Sequence, residues 1–409
     1  MRQGNAMNDA AIEQLSTAQF NDAFRPIMDG VGGCVENYAR WLNARYGQCT
    51  VVAPRVPGYV DLQPYTVLRF HSVAFPPMRP YRIGVPWCDG RFLRTLRNAR
   101  WELVHAHAPF VAGTLALQTA RRLGIPIVAT FHSKYREDFL KVLGSQRLAQ
   151  LAARRIVSFF HSVDQVWAPN SATADTLRSY GFNGPVQIVP NGSDLAVPAP
   201  HELEQYRAQA DSELQLEPGV PLYLFVGQHR WEKNVRLIIE ALELLLRRGR
   251  RFRMLFVGAG YAAGEMQRLV RNRGLADRVG FLGLITDRER LKPLYARADI
   301  FLFPSLYDNA PLVMREAAAF SCPAVLVAGS TAAENTVHGE NAFLIENRAE
   351  SLCHLLDHLA DRPHLVARAG TGARETIYLP WDQVVDEVYL RYLDLRTHYH
   401  RNRGTFQFA

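Results

Sequence analysis

The feature that most constrains the fold of this chain is a repeated alternation between short apolar segments and longer amphipathic segments. Short apolar runs bounded by turn residues are typical of buried strands, and apolar residues at helical spacing between them are typical of crossover helices. The alternation therefore predicts an α/β protein with parallel sheets wrapped by helices.

The alternation occurs twice along the chain. In the first half, a strand leading into Phe20 is followed by predicted strands at Cys49–Ala53, Thr66–Val73, Glu102–His105, Ile127–Phe131, Val163–Ala168 and Gln187–Val189. In the second half, the predicted strands are Tyr223–Val226, Met254–Val257, Val279–Leu282, Ile300–Phe303, Ala324–Val327 and Ala342–Ile345. The charged, proline-containing stretch up to residue 218 lies between the two halves and is interpreted as a connection.

A length of 409 residues suits two domains rather than one core. We predict a first Rossmann-like domain over residues 1–195 and a second over residues 196–380. Apolar residues from Trp381 to Leu393 recur at helical spacing, so residues 381–409 are predicted to form a closing helix.

Composition narrows the class of protein. The five cysteines form no CxxC pair and no zinc-ligand cluster, so we expect reduced thiols and no bound metal. The N-terminus lacks a signal-peptide pattern and no segment is long enough to span a membrane, so we expect a cytoplasmic location.

The net charge of +8 comes from the first half, because residues 1–195 hold 21 Lys/Arg against 13 Asp/Glu while the remainder holds 26 of each. Arg91, Arg94, Arg97 and Arg100 would form a basic stripe on a helix. Such a stripe suits an anionic lipid surface or an anionic acceptor, and a solvated helix face is the alternative. We predict no nucleic-acid partner.

In the first half, polar residues follow several predicted strands, where such sheets bind ligands. The run Gly30-Val31-Gly32-Gly33 precedes a helix, and its glycines would let the backbone approach a phosphate or sugar, although such turns are common. His132 follows a strand and is predicted to project into the ligand site. His105 and His107 should point to opposite faces of their strand, so they make a poor metal pair.

In the second half, the loop after the first strand supplies Arg230 and Lys233 where a diphosphate would lie, with two exposed surface cations as the alternative. Further along, Asp308 is predicted in a loop after a strand and Glu316 about one turn inside the next helix. Free amides at that helix start attract phosphate, and the two acids would suit sugar and ribose hydroxyls. We therefore expect this segment to hold a nucleotide sugar.

These motifs, in this order, resemble the retaining glycosyltransferases of GT-B fold. That family includes phosphatidylinositol mannosyltransferases, diacylglycerol glucosyltransferases and sucrose-phosphate synthases. The residues that carry the resemblance are Gly32-Gly33, His105-Ala106-His107, Thr130-Phe131-His132, Val189-Pro190-Asn191-Gly192, Gly227 through Asn234, Val257-Gly258-Ala259-Gly260, and Asp308 with Glu316-Ala317.

The resemblance implies two domains facing each other across a cleft, with the C-terminal helix returning to the first, acceptor-binding domain. It also implies a role for each site residue. Lys233 would bind the diphosphate, Asp308 the sugar hydroxyls and Glu316 the ribose. Gly33 would lie by the phosphates, and His132 by the sugar at the reacting centre. Backbone amides for sugar and phosphate would come from Asn309, Ala310, Pro311 and Leu312. Two positions depart from the family pattern, because the family usually has Glu at Asp308 and Arg at Gln228. Arg230 is a candidate replacement for that arginine.

The resemblance further implies transfer of a hexose with retention of anomeric configuration, without a protein nucleophile or resident cofactor. A UDP-hexose is the commonest family donor and GDP-mannose the next. The absence of an Asp-x-Asp motif predicts metal independence. A glycerolipid or a cell-envelope saccharide would suit the basic first half as acceptor, with peripheral contact at the inner face of an anionic membrane.

Two other functions compete with this hypothesis. Gly258-x-Gly260-x-x-x-Gly264 follows a strand like the fingerprint of an NAD-dependent oxidoreductase, but Ile285 and Thr286 stand near the place of the expected acid. A non-catalytic homologue could keep the fold alone, and the presence of His132, Lys233 and Glu316 argues against it.

Overall fold

The computed structural model describes residues 14–27, 29–76 and 80–405, with side chains described as far as Arg401. The chain divides into two compact units. Unit 1 comprises Met1–Pro190 with Trp381–Ala409, and unit 2 comprises Asn191–Pro380.

The strands of the described residues follow the predicted alternation. In unit 1 they are β1 (Thr17–Phe20), β2 (Cys49–Pro54), β3 (Val67–Phe70), β4 (Ser72–Ala74), β5 (Arg82–Gly84), β6 (Leu103–Ala106), β7 (Ile127–Thr130), β8 (Gln165–Ala168) and β9 (Gln187–Ile188). In unit 2 they are β10 (Leu222–Val226), β11 (Arg253–Val257), β12 (Val279–Gly283), β13 (Ile300–Leu302), β14 (Ala324–Val327) and β15 (Ala342–Ile345).

The helices alternate with these strands. They are α1 (Gly30–Arg45), α2 (Gly90–Arg97), α3 (Val111–Leu123), α4 (Tyr135–Leu143), α5 (Gln146–Phe160), α6 (Ser171–Ser179), α7 (Pro200–Leu214), α8 (Val235–Arg247), α9 (Ala263–Asn272), α10 (Arg288–Arg297), α11 (Leu312–Ala319), α12 (Ala349–Ala360), α13 (Pro363–Thr376) and α14 (Trp381–Thr405). In the described part of the chain, none of them combines the length and apolar character needed to cross a membrane.

Each unit contains one large parallel sheet, which confirms the predicted α/β architecture. Unit 1 has the strand order β3-β2-β1-β6-β7-β8-β9, and unit 2 has the order β12-β11-β10-β13-β14-β15. The predicted strand Thr66–Val73 is interrupted, because β3 stays in the sheet while β4 leaves it to pair antiparallel with β5.

Both sheets contain a point at which the strand order reverses. The chain runs outward from β1 through β2 to β3, then returns to add β6 on the other side of β1. In unit 2, β13 is added beside β10 in the same way. Loops leaving the carboxyl ends of two such neighbours diverge and leave a crevice, which is where open α/β sheets bind ligands. We therefore expect ligand sites at the loops after β1, β6, β10 and β13.

The glycine run of unit 1 lies inside a helix and does not precede one. Helix α1 begins at Gly30, and Asp29 caps it by accepting a hydrogen bond from the Gly32 N–H at 2.7 Å. The prediction that this glycine run precedes a helix was therefore wrong, because the Asp29 cap starts the helix at Gly30.

The stretch interpreted as a connection between domains is largely helix α7 of unit 2. Proline occupies its first turn, and the Glu202 carboxylate accepts a hydrogen bond from the Ala199 N–H at 2.7 Å. Helix α7 packs against α10. The sequence did not predict this helix, because a charged segment with few buried residues has little apolar periodicity.

The basic stripe is shorter than predicted. Arg91, Arg94 and Arg97 lie exposed on α2, but the helix ends at Arg97, so Arg100 lies beyond it. The short helix ends where the Asn98 N–H bonds back to carbonyls of the last turn.

Helix α14 belongs to unit 1 and packs against α1. Trp381, Val388 and Tyr392 are buried, and Asp386 pairs with Arg45 at 2.6 Å. The Tyr392 hydroxyl lies 2.6 Å from Nδ1 of His105, at the centre of the sheet. The C-terminal helix thereby completes the core of unit 1.

Candidate functional site

In unit 2, the loops after β10 and β13 are joined by an ion pair. Nζ of Lys233 contacts Oδ1 of Asp308, and the Ser305 hydroxyl donates to Oδ2 of Asp308 at 2.5 Å. The Lys233 and Asp308 side chains are only 14% and 16% exposed. The structure thus brings together two of the predicted site residues at the strand-order reversal of unit 2.

The segment after Asp308 leads into α11. The helix begins at Leu312, so the N–H groups of Leu312 and Val313 have no acceptor within the helix. Pro311 occupies the cap position and has no N–H, so of the four predicted amides it contributes none. The Ala310 carbonyl accepts a hydrogen bond from Asn191 at 3.3 Å, and Asn309 is buried. The start of this helix offers partial positive charge beside Lys233 and Asp308.

Arg230 lies at the same pair of loops. Its guanidinium sits 5.9 Å from the ring centroids of both Tyr261 and Tyr307 and pairs with Glu232 at 3.4 Å. Tyr307 directly precedes Asp308, so Arg230 lies beside the Asp308 loop. Its neighbour Gln228 is partly buried in the same strand-to-helix loop.

Glu316 is buried in α11 and makes its polar contacts elsewhere. Its two oxygens lie 2.7 Å from Arg288 and 2.8 Å from the Tyr295 hydroxyl, and Arg288 also pairs with Asp194 at 2.6 Å. Burial raises the pKa of Glu316, and the charge of Arg288 opposes that rise. An ionised carboxylate has about four acceptor positions, so Glu316 keeps acceptor capacity for a further donor. The structure does not join it to Lys233 or Asp308.

The fingerprint-like glycines of unit 2 serve backbone packing. A Cβ on Gly258 would overlap the Gly227 carbonyl oxygen, and one on Gly260 would overlap the carbonyl of His229. A Cβ on Gly264 would meet open space. The first two glycines let the loop after β11 lie against the loop after β10, which explains them without a dinucleotide.

In unit 1, a chain of hydrogen bonds crosses the carboxyl end of the sheet. Oε1 of Gln19, in β1, lies 2.8 Å from Nε2 of His107, and Nδ1 of His107 lies 3.1 Å from Nε2 of His132. Because Gln19 presents an acceptor, His107 carries its proton on Nε2 and accepts at Nδ1. His132 must then carry its proton on Nε2, which makes its Nδ1 an acceptor.

His132 is 9% exposed at the end of β7, and burial lowers its pKa to about 4. The imidazole is therefore neutral at pH 7. His105 is a satisfied core group, bonded to Tyr392 at 2.6 Å and to Thr130 at 2.7 Å. The prediction that His105 and His107 point to opposite faces was wrong, because residues two apart in an extended chain lie on the same face, and the two rings lie 4.0 Å apart.

The glycine segment of α1 has its amides occupied. The Gly32 N–H bonds to the Asp29 carboxylate, and the Gly33 N–H bonds to the Asp29 carbonyl at 3.0 Å. A ligand contact at Gly32 or Gly33 would therefore come from close approach to backbone lacking a side chain, not from these two amides.

Sequence reasoning missed several polar groups of these crevices. Asp22, two residues after β1, accepts from the Ala112 N–H at 2.9 Å, and burial raises its pKa to about 7. Its position after a strand was a usable signal. Arg288 and Tyr295, which contact Glu316, gave no such signal in the sequence, because they lie on another helix. Among the described residues, no group of three or more His, Cys, Asp or Glu side chains could hold a metal ion.

Two family models match the chain, one to each half. A model described as Glycosyltransferase Family 4 matches residues 28–197, and one described as Glycosyl transferases group 1 matches residues 207–376. The second match contains Lys233, Asp308 and Glu316, and the first contains His107 and His132.

Curated relatives and solved structures agree with these matches. The chain is 24% identical to alpha-monoglucosyldiacylglycerol synthase from Streptococcus pneumoniae over 75% of this chain and 69% of that protein. It is 23% identical to the Acholeplasma laidlawii enzyme of the same name over 92% and 96%. A solved structure of Anabaena HepE in complex with UDP and glucose superposes with a TM-score of 0.72 at 16% identity, covering 92% of this chain and 99% of that one. The chain therefore combines a Glycosyltransferase Family 4 domain with a Glycosyl transferases group 1 domain, and it is a glycosyltransferase of GT-B fold.

Proposed function

We propose that this glycosyltransferase is a retaining, metal-independent enzyme that moves a hexose from UDP to a glycerolipid hydroxyl. The observation that carries the proposal is the Lys233–Asp308 pair at the strand-order reversal of unit 2, beside the start of α11. A cell-envelope saccharide is the second candidate acceptor, and GDP-mannose the second candidate donor.

The donor would bind with its diphosphate between Lys233 and the free amides of Leu312 and Val313. The Lys233 ammonium and the helix start stabilise the negative charge that develops on departing UDP. Glu316 would accept hydrogen bonds from ribose hydroxyls through the acceptor capacity that Arg288 and Tyr295 leave open. Asp308 would accept hydrogen bonds from hexose hydroxyls once the phosphate takes over its bond to Lys233.

Relatives support the donor and acceptor parts of the proposal. HepE was solved with UDP and glucose, and the synthases are named for a glucosyl group on diacylglycerol. The excess of basic residues in the first half of the chain also favours an acceptor at an anionic surface.

In the proposed reaction, the acceptor oxygen attacks the anomeric carbon on the face that the phosphate leaves. The bond from carbon to phosphate oxygen breaks, UDP takes the electron pair, and its phosphate oxygen takes the acceptor proton. No protein nucleophile is needed. His132 is the unit 1 candidate for contact with the reacting sugar, and its imidazole is neutral at pH 7. Lys233 and the α11 amides supply the cationic environment that a metal supplies in other transferases.

The direct test is a panel of nucleotide sugars with diacylglycerol in detergent, read by released nucleotide. We expect release from UDP-hexose that persists in EDTA, and an NMR coupling constant that reports the donor's anomeric configuration in the product. Loss of activity in EDTA would contradict metal independence, and an inverted product would contradict retention. Turnover of a nicotinamide cofactor would support the oxidoreductase, and binding of a nucleotide sugar without any turnover would support the non-catalytic homologue.

Two matched variants test whether Arg230 replaces the family arginine. We expect Arg230→Ala to lower donor turnover by about tenfold or more, as loss of a charged phosphate contact does. Gln228→Ala should have a smaller effect. An Arg230→Ala variant with unchanged turnover would remove Arg230 from the site.

A further inference from the structure

Helices α4 and α5 carry a cluster of exposed apolar side chains. Leu140, Val142, Leu143, Leu148 and Leu151 are between 39% and 58% exposed, and all lie within twelve consecutive residues. Scattered exposed apolar residues are ordinary in soluble proteins, whereas a contiguous group marks an interaction surface. We call these five residues, with Arg147, Arg154 and Arg155, the α4–α5 face.

The outward face of α5 combines leucines and arginines. Leu148 and Leu151 lie on the same side of the helix as three exposed arginines, Arg147, Arg154 and Arg155, because the spacings are those of neighbouring helical turns. The opposite side of α5, including Ala153, Ile156 and Phe160, is buried in the core of unit 1. The helix is therefore held from behind and offers a mixed apolar and basic surface.

The charge of this surface has one sign. From Lys141 to Arg155 the sequence has four basic residues and no acidic one. In the described part of the chain, Arg147, Arg154 and Arg155 take part in no ion pair, and all three are exposed. Leu140, Leu151, Arg147 and Arg154 line one cavity of about 770 Å³ between the two helices. The acidic residue that lines this cavity is Glu137. Its two carboxylate oxygens accept hydrogen bonds from Arg136 and from the Tyr180 hydroxyl.

The face lies close along the chain to the segments of unit 1 that carry His107 and His132. Helix α4 begins three residues after His132. The exposed ring of Phe110, three residues after His107, packs edge-on against Phe139 of α4, with ring centroids 6.2 Å apart. The axial rise of α4 places its far end only about 12 Å from its start. An exposed aromatic contact therefore joins the segment after His107 to helix α4.

We infer that the α4–α5 face docks unit 1 on a bilayer containing anionic lipid, with its leucines in the acyl boundary and its arginines at the phosphates. Apolar side chains flanked by cations, on a helix that does not span, are the combination that binds anionic membrane surfaces. The inference goes beyond the proposed function by giving the membrane contact a location. It rests on the proposed function only in one respect, because a lipid acceptor would explain why the enzyme binds a membrane.

Vesicle flotation of the full chain tests this without any turnover, so it can fail or succeed independently of the proposed activity. We expect the protein to float with vesicles of phosphatidylcholine and phosphatidylglycerol, and not with phosphatidylcholine alone. The variant R147Q/R154Q/R155Q should lose about 100-fold in apparent affinity, since each surface cation contributes about fivefold. The matched control R91Q/R94Q/R97Q removes equal charge from α2 and should bind like the wild type.

Insertion is tested by a polarity-sensitive dye on Leu151→Cys in a Cys88→Ser background, because Cys88 is the one exposed cysteine among the five. A blue shift on anionic vesicles is expected. Equal loss from both arginine triples, or binding that ignores lipid charge, would overturn the inference. Light scattering that shows a dimer abolished by Leu148→Ser/Leu151→Ser would overturn it too, because the face would then join two copies of the chain. Circular dichroism and unchanged UDP-hexose hydrolysis in detergent show that the variants are folded.

Discussion

Nδ1 of His107 and Nε2 of His132 lie 3.1 Å apart, and the bond between them assigns the proton of His132 to Nε2. The tautomer is set by Gln19, whose amide oxygen accepts a hydrogen bond from the Nε2–H of His107. A polar side chain fully buried in the first strand thus orients a histidine two strands away.

The first prediction concerns this tautomer. Long-range ¹⁵N NMR should show His132 protonated at Nε2 in the wild type, because His107 Nδ1 needs a donor. In Gln19→Leu, His107 loses its fixed orientation, so His132 should populate both tautomers. Turnover should fall by about tenfold while KM for the donor stays unchanged, since positioning losses affect the reacting geometry. A wild-type signal for Nδ1–H on His132 would contradict this assignment.

The second prediction concerns the pH dependence of stability. His229 is buried among Phe225, Phe256 and Phe281, and within the described residues neither ring nitrogen has a hydrogen-bond partner. Burial lowers its pKa to about 4 from 6.5. Between these values the unfolded state binds the proton and the folded state does not. The free energy of unfolding therefore decreases as the pH falls through this window.

The variant His229→Leu removes both the unpaired polar group and the titration. We expect it to stabilise the protein by about 1 kcal/mol at pH 8, the cost of an unsatisfied buried group. At pH 5 the gain should be about 2 kcal/mol larger. Urea denaturation of both proteins at the two pH values measures this difference. A gain that does not grow on acidification would contradict the buried neutral histidine.

The third prediction separates packing glycines from a nucleotide fingerprint. Gly258→Ala should destabilise the protein by about 3 kcal/mol, because its φ of 132° is unfavourable for alanine and the new Cβ would overlap the Gly227 carbonyl. Gly264→Ala, in open space at the start of α9, should be neutral or stabilising by up to about 1 kcal/mol. Thermal unfolding compares the two variants. Equal destabilisation would refute the packing explanation.

Much of the fold follows from pattern alone. Apolar runs such as Ala324–Val327 and Ala342–Ile345 are predicted to the residue, because buried parallel strands need continuous apolar sequence. Helix α7 and the start of α1 were missed for a local reason. A polar helix and a capped glycine turn have little hydrophobic periodicity, and their stability comes from caps and tertiary packing.

Only some residues of the candidate site could be predicted from the sequence. Lys233 and Asp308 could be predicted, because each follows a strand at the point where α/β sheets bind ligands. The partners of Glu316 could not, since Arg288 reaches it from another helix and depends on tertiary packing. The role of Gln19 was also hidden, because one polar residue in a strand does not reveal its partner.

Substitutions of Lys233 and of Asp308 should have different effects on UDP binding. UDP carries the diphosphate but no hexose, so Lys233→Met should weaken UDP binding by about tenfold or more, as loss of a charged phosphate contact does. Asp308→Asn should leave UDP binding unchanged or tighter, because it releases the Lys233 ammonium from a competing carboxylate. Both variants should lose hexose transfer.

Isothermal titration of UDP into the wild type, Lys233→Met and Asp308→Asn is the most direct test of the donor site. The expected result is weaker binding only in Lys233→Met. UDP affinity that is the same in all three proteins would show that the diphosphate does not bind at the strand-order reversal of unit 2, and would contradict the proposed donor site.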